Sequence, residues 1–191
     1  MRAVILAGLL ALTACGQTPE GNPTLGFLQG YRDTSVPIGS KVDLDTERYL
    51  GHWYEIARFP VPFEAGCVGV TAEYGLIDET RISVLNTCRN PDGSIRTTIQ
   101  GEAEIVGPGR LKVSFASVPF VRGDYWVLWV DEGYRTAVVG SPGGRSGWIL
   151  NREPTISADR LAAAQEVLDF NGYDLSQLEM VPQDVNLSTG E

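Results

Sequence analysis

The sequence has few of the residues from which catalytic sites are usually built. It contains a single histidine, His52, and no Gly-x-Ser-x-Gly sequence, so the serine–histidine pairing of a hydrolase has no candidates. The glycine-rich stretch at residues 140–144 lacks the lysine of a phosphate-binding loop, and we interpret it as a hairpin turn. We therefore predict that the chain is not an enzyme and uses no cofactor.

The sequence also lacks an apolar run of the roughly 20 residues that a helix needs to cross a bilayer. The apolar residues 3–12 follow Arg2 and have the length and charge of a signal peptide. They end at Leu12-Thr13-Ala14-Cys15-Gly16, which resembles the lipobox at which bacterial lipoproteins are cleaved and acylated. We predict a signal peptide at residues 1–14 and lipidation of Cys15. The alternative is an ordinary secretory signal with an incidental cysteine.

Positive charge is scarce, since 15 Lys and Arg face 24 Asp and Glu and the net charge is −9. We expect such an acidic chain to bind nucleic acid and anionic lipid surfaces weakly. A covalent lipid anchor is nevertheless compatible with this charge. Gly16 stands where aspartate would retain an enterobacterial lipoprotein in the inner membrane. The resemblance to those lipoproteins therefore implies the outer membrane, with the leaflet left open.

Proline, glycine and polar residues dominate residues 15–40, which we interpret as the lipidated cysteine and a tether. Residues 183–191 form a polar tail, and residues 41–182 form the folded domain. That domain shows short alternating segments separated by turn signals, followed by helical spacing over residues 159–170 that ends at Asn171-Gly172. The predicted strands cover residues 53–59, 68–76, 81–89, 95–106, 111–115, 124–131, 134–141 and 148–152.

Eight strands joined by short links favour an all-β, antiparallel up-and-down barrel, wide enough for one small ligand, with the C-terminal helix packed outside. Pairing of the second and third strands places Cys67 nearly opposite Cys88 at the open end of a hairpin. In an exported protein we expect these two cysteines to form a disulfide. With one histidine they would make a poor zinc site, so no metal is predicted.

The stretch Gly51-His52-Trp53-Tyr54-Glu55-Ile56-Ala57-Arg58-Phe59 resembles the first strand of lipocalins, in particular the bacterial lipocalins related to apolipoprotein D. Residues 111–115, 124–139 and 148–154 resemble later strands of the same family, in the same order. The resemblance implies a barrel floor made by Gly51, Trp53 and Arg152, with the guanidinium on the indole face. The alternative for Trp53 is a core residue with no further role.

Strand alternation counted from Trp53 and Arg152 predicts which side chains face the barrel interior. We predict an apolar, ligand-binding interior lined by Glu55, Ala57, Phe59, Tyr74, Asn86, Val113, Phe115, Trp126, Leu128, Trp148 and Leu150. The alternative is that aromatic side chains fill the barrel and leave no cavity.

The family resemblance implies a lipid-anchored binding protein for a fatty acid, lysophospholipid or similar amphiphile, acting in transport, storage or membrane maintenance. The oligomeric state, monomer or homodimer, is left open. A filled barrel would instead indicate an envelope scaffold that binds a protein partner. A catalytic lipocalin similar to prostaglandin synthase would need a nucleophile in the cavity such as a free cysteine. The ligand's identity and the direction of lipid transfer remain open at this point.

Overall fold

The computed structural model describes residues 28–117 and 122–184. The predicted signal peptide and Cys15 lie outside these ranges, as does the polar tail beyond residue 184. Among the helices in the described ranges, none has both the length and the apolar character that crossing a membrane requires.

The described residues form one antiparallel sheet of nine strands. Alternating apolar positions and turns rich in glycine, proline and aspartate divide this part of the chain into short strands. The strands are β1 (Gly51–Arg58), β2 (Val68–Asp78), β3 (Arg81–Arg89), β4 (Ile95–Gly107), β5 (Arg110–Phe115), β6 (Arg122–Val130), β7 (Thr136–Gly140), β8 (Gly147–Asn151) and β9 (Glu179–Met180).

Strands β2 to β8 pair in sequence order, and β1 pairs with both β8 and β2. This pairing closes the sheet and confirms the predicted eight-stranded antiparallel barrel. The short β9 pairs with β1 at Ala57 and Arg58, beyond the four residues of β1 that pair with β2. The backbone N–H of Gly69 in β2 donates to the carbonyl of Pro182, so the C-terminal segment connects the two strands where they stop pairing.

Two α-helices that lie entirely within the described ranges flank the barrel. The short α1 (Thr46–Tyr49) precedes β1, and its N-terminus is capped by the carboxylate of Asp45. The longer α2 (Ala158–Phe170) lies outside the barrel against β6 and β7, which confirms its predicted position. Gly172 ends it with a φ of +83°, a conformation that favours glycine.

The chain on the N-terminal side of residue 41 is also part of the folded unit. The N–H of Tyr31 donates to the carbonyl of Gly144, and its own carbonyl accepts from Asp174. The guanidinium of Arg32 is buried and donates to the carbonyls of Pro142, Val36 and Asn171. The folded unit therefore includes Tyr31 and Arg32 and begins earlier in the chain than the predicted boundary at residue 41.

Apolar side chains form two large clusters, one on each side of the barrel wall. The inner cluster includes Trp53, Val127 and Leu150. The outer cluster joins the barrel to α2 through residues such as Ile149 and Leu168, both fully buried. Because α2 covers β6 and β7, both faces of β7 are buried.

Candidate functional site

The barrel is closed at one end by Trp53 and Arg152. Trp53 is fully buried, and its Nε1 donates to the carbonyl of Tyr49 at 2.8 Å. The guanidinium carbon of Arg152 lies 3.8 Å from the centroid of the indole. Gly51 starts β1 with a φ of +90°, which a residue with a side chain rarely adopts. The structure thus brings together the three residues predicted for the barrel floor.

Above this floor the barrel encloses a cavity of about 670 Å³. This volume lies within the usual range of small-molecule sites, about 300–1,000 Å³. The barrel is therefore not filled by its own side chains, contrary to the premise of the scaffold alternative. Apolar lining residues from β2 to β5 include Val70, Ile82, Val84, Ile99, Ala103 and Leu111.

Most of the predicted interior residues line this cavity. They are Glu55, Tyr74, Asn86, Val113, Phe115, Trp148 and Leu150. The ring of Phe115 covers Gly101, where an added Cβ would come within 2.6 Å of the ring, so the absence of a side chain at this position makes room for an aromatic wall. Whether these residues bind a ligand stays a prediction.

The inward direction predicted for Ala57 and Phe59 is wrong. The pairing of β1 with β8 shifts register between Glu55 and Ala57, so Ile56 is an extra residue and the alternation reverses. Ala57 and Phe59 therefore belong to the outer cluster. The ring of Phe59 lies 5.2 Å from that of Tyr31 and 4.9 Å from that of Tyr173.

The inward direction predicted for Trp126 and Leu128 is also wrong, because both belong to the outer cluster beside α2. Tyr125 lines the cavity, and Val127 belongs to the inner cluster. Both faces of β6 are apolar, since the helix covers its outer side, and alternation alone gives no preference. The charged residue Arg110 indicates which face of β6 points outward. It is exposed and pairs with Trp126 across the β5–β6 ladder, and its guanidinium carbon lies 4.3 Å from the centroid of the Trp126 ring.

A chain of three tyrosine hydroxyls lies in the wall of the cavity. The hydroxyl of Tyr125 is 2.6 Å from that of Tyr49 and 3.0 Å from that of Tyr74. Burial is the main cause that raises the pKa of all three tyrosines, so they remain neutral hydrogen-bonding groups. Tyr49 and Tyr125 were not among the predicted residues, because α1 and the inner face of β6 were not recognised.

A cluster of charged side chains is buried beside these tyrosines. Arg58 Nη1 donates to Glu55 Oε1 at 3.1 Å, and Arg58 Nη2 donates to the carbonyl of Cys67 at 3.3 Å. Trp148 Nε1 donates to Glu64 Oε2 at 3.3 Å. Glu64 comes from a 3-10 turn, Pro62–Glu64, in the loop between β1 and β2. The sequence prediction missed it because alternation does not apply to a loop.

Both acids of this cluster bind protons more readily than free carboxyls. Burial raises the pKa of Glu55 well above its ordinary value, and the neighbouring Glu64 raises it further, against the opposing effect of Arg58. Burial also raises the pKa of Glu64, while Arg58 and the Trp148 hydrogen bond oppose the rise. The cluster is therefore short of positive charge when both acids are ionised.

Asn86 adds one more polar group to the cavity wall. Its Oδ1 is buried and is the only such side-chain atom in the described ranges that has no hydrogen-bond partner. Because the side-chain amide of asparagine carries both an accepting oxygen and a donating NH₂ group, rotation of the amide can present either a donor or an acceptor to a bound molecule.

The predicted disulfide between Cys67 and Cys88 is confirmed. Their Cα atoms are 5.3 Å apart, and both residues line the cavity. The bond joins the first residue before β2 to the end of β3, and it therefore fixes the loop that carries Glu64. It also commits both thiols, so neither is available as a cavity nucleophile.

Comparison with known proteins agrees with this architecture. The model of the lipocalin-like domain family matches residues 44–183. The chain is 42% identical over 144 residues to the outer membrane lipoprotein Blc of Escherichia coli K12, which covers 74% of this chain and 80% of that protein. It is 31% identical over 151 residues to apolipoprotein D of Mus musculus, covering 74% of this chain and 78% of that protein.

A solved structure with the same fold is insecticyanin from the tobacco hornworm Manduca sexta. It superposes with a TM-score of 0.63 at 22% identity, covering 80% of this chain and 86% of that one. This structural similarity supports the fold, while the family match and the sequence identity to bacterial lipoproteins establish homology. On these grounds the chain belongs to the lipocalin family.

Proposed function

We propose that this protein is a lipid-anchored lipocalin of the outer membrane that holds one fatty acid or lysophospholipid in its barrel. It would serve the transport or storage of that lipid, or the maintenance of the membrane. The observation that carries the proposal is the cavity of about 670 Å³, closed by Trp53 at one end and walled mainly by apolar side chains.

The energetics of such a cavity favour a hydrocarbon chain. Each methylene that moves from water into an apolar wall contributes about 0.8 kcal/mol. A long acyl chain therefore outweighs the cost of immobilising it. The buried hydroxyls and charged groups occupy one part of the wall, which suits an amphiphile better than a pure hydrocarbon.

The membrane location rests on the N-terminal sequence and on the relatives. Cys15 follows an apolar run in a lipobox-like context, and the E. coli protein with 42% identity is named an outer membrane lipoprotein. Several acyl chains on Cys15 would anchor the protein stably, since each methylene buried in the bilayer adds to the affinity for the membrane.

Binding rather than catalysis is supported by the same geometry. Both cysteines of the cavity are joined in the disulfide. The only histidine, His52, is exposed and lies 3.0 Å from Glu73. These residues give the cavity no thiol or imidazole with which to activate a substrate.

The binding proposal is tested with the full chain carrying Cys15→Ser, which cannot be acylated there. Native mass spectrometry and solvent extraction should show one co-purifying lipid per chain. Titration with a long-chain fatty acid and a lysophospholipid should quench tryptophan fluorescence saturably at one-to-one stoichiometry. Trp148→Ala should weaken this binding, and Trp126→Ala, on the outer face, should leave it unchanged. Absence of both co-purified lipid and saturable quenching would falsify the proposal.

The anchoring proposal needs a separate experiment. Cells that produce the full chain are fed a clickable fatty acid, and the chain is then examined for the label and for its membrane fraction. The unaltered chain should be labelled and should sediment with the outer membrane, whereas Cys15→Ser should lose the label. Equal labelling of the two chains would show that the lipid is attached elsewhere.

A further inference from the structure

Two acids and one base are buried together in the cavity wall. Glu55, Arg58 and Glu64 are each less than 9% exposed. Only one ion pair forms among them, between Arg58 Nη1 and Glu55 Oε1. The carboxyl group of Glu64 accepts a single hydrogen bond among the described residues, from Trp148 Nε1. A buried carboxylate that must share one countercharge with a second acid is costly, so this position favours a positive charge from outside the chain.

The base of the cluster is already committed. Arg58 donates one terminal nitrogen to Glu55 and the other to the carbonyl of Cys67. Its single positive charge is therefore shared between two acids before any ligand enters the cavity. A carboxylate or phosphate placed beside Glu55 and Glu64 would meet two acids against a single base, and the repulsion would exceed the attraction when both acids are ionised.

Aromatic rings line the same wall. The rings of Trp148 and Tyr125 lie 6.2 Å apart at an angle of 26°, and Tyr74 approaches Tyr125 edge-on at 6.2 Å. Both Trp148 and Tyr125 line the cavity together with Glu64. Aromatic faces attract ammonium groups, and the attraction grows where water is excluded.

We infer that Glu64, with Glu55 and the rings of Trp148 and Tyr125, forms a subsite for the ammonium group of an amphiphile. The inference rests on the proposed function, since it concerns the polar group of the ligand that the barrel holds. The ammonium supplies the positive charge that the cluster lacks, and the acyl chain occupies the apolar part of the cavity.

The protonation of the two acids supports this assignment. Burial raises the pKa of both Glu55 and Glu64, so in the empty cavity a proton compensates part of the negative charge. A bound ammonium takes over that role. The other titratable side chains that line the cavity are Tyr49, Tyr74, Arg122, Asp124, Tyr125 and Arg145.

The test compares two lysophospholipids that share the acyl chain and the phosphate but carry different groups beyond it, a cationic choline in one and an uncharged glycerol in the other. Lysophosphatidylcholine and lysophosphatidylglycerol with the same acyl chain, each below its critical micelle concentration, are titrated calorimetrically into the full chain carrying Cys15→Ser. We expect the choline lipid to bind about tenfold more tightly, which corresponds to about 1.4 kcal/mol. This comparison requires no further substitution and so does not depend on a variant folding.

Two variants separate the subsite from the acidic surface of the protein. Glu64→Gln keeps the shape of the side chain and an oxygen for Trp148, leaves a neutral Glu55–Arg58 pair, and should remove the preference. Glu102→Gln changes an exposed acid on β4 that pairs with Arg81, and it should retain the preference.

Each other result contradicts the inference. Equal affinities for the two lipids would overturn it and leave the proposed function intact. A preference that persists in Glu64→Gln would assign the discrimination to the overall charge and overturn the subsite. If neither lipid binds, the inference fails, and the proposed function fails with it unless the long-chain fatty acid binds.

Discussion

The guanidinium of Arg152, from the residue after β8, lies 3.8 Å from the ring centroid of Trp53 on β1. Its nitrogens also donate to the carbonyls of His52, Arg48 and Leu50, which lie at and just before the start of β1. One side chain thus ties the last barrel strand to the segment that enters the first. Only the flat, five-donor group of arginine can bond these three carbonyls and also lie on the indole. The same side chain therefore helps to close both the barrel and its floor.

Replacement of this arginine by lysine should therefore destabilise the fold. We expect Arg152→Lys to lower the free energy of unfolding by about 2 kcal/mol, because one ammonium cannot satisfy all the carbonyls and also cover the indole. Urea unfolding followed by circular dichroism measures the effect. Arg81→Lys, at an exposed ion pair, is the control and should change the free energy by less than about 0.5 kcal/mol. Equal effects would show that Arg152 is an ordinary surface residue.

The disulfide should contribute to stability through the unfolded chain. Cys67 and Cys88 are separated by 21 residues, and a cross-link over a loop of this length is worth about 3 kcal/mol. We expect the double variant Cys67→Ala, Cys88→Ala to lose about that amount in urea unfolding. Reduction of the unaltered chain with dithiothreitol should lower its stability toward that of the variant, and no effect of reduction on the variant itself is expected. A stable double variant would contradict this account.

The buried acids give stability a definite pH dependence. The folded chain raises the pKa of Glu64 above its ordinary value of 4.5, so it binds more protons there than the unfolded chain does. The contribution of this group to the free energy of unfolding is therefore largest at low pH and falls as the pH rises above 4.5. Glu64→Gln removes that loss.

The measurement is the difference in unfolding free energy between Glu64→Gln and the unaltered chain at a series of pH values from 4 to 8. The difference should shift in favour of the variant as the pH rises. Acids with lowered pKa values, such as Asp78 with a pKa of about 2, act at lower pH and are common to both proteins, so they cancel. A difference that is constant with pH would mean that the carboxyl is not perturbed.

The N-terminal segment should be sensitive to a single methyl group at Gly144. This residue has a φ of +64°, and a Cβ there would lie 2.1 Å from Cγ of the buried Arg32. We expect Gly144→Ala to cost about 2 kcal/mol, from backbone strain and from displacement of the arginine. Its neighbour Gly143 has open space around it, and Gly143→Ala should be nearly neutral. Thermal unfolding compares the two, and similar melting temperatures would indicate that residues 31–40 are not packed in solution.

The sequence predicted the barrel because its signals are local and repeated. Turn residues separate alternating segments, and the order of strands along the chain is their order in the sheet. Cys67 and Cys88 could be paired because a simple hairpin brings them together. The helix position followed from its apolar face and its end at Gly172.

The interior was predicted less well because side-chain direction depends on features that alternation does not contain. The extra residue at Ile56 reverses the inward and outward alternation of side chains along the rest of β1, so Phe59 belongs to the outer cluster. Strand β6 carries apolar residues on both faces, because its outer face is covered by α2. Glu64 lies in a loop, where only the folded chain reveals its contact with Trp148.

The measurement that tests the central claim most directly fills the cavity. Ala103 on β4 lines the cavity, and its neighbour Glu102 faces solvent. Lysophosphatidylcholine is titrated calorimetrically into the full chain carrying Cys15→Ser, with either Ala103→Trp or Glu102→Trp added. We predict that Ala103→Trp lowers the affinity at least about tenfold, which is about 1.4 kcal/mol, while Glu102→Trp retains it. Undiminished binding by a folded Ala103→Trp chain would place the lipid outside the barrel and contradict the account.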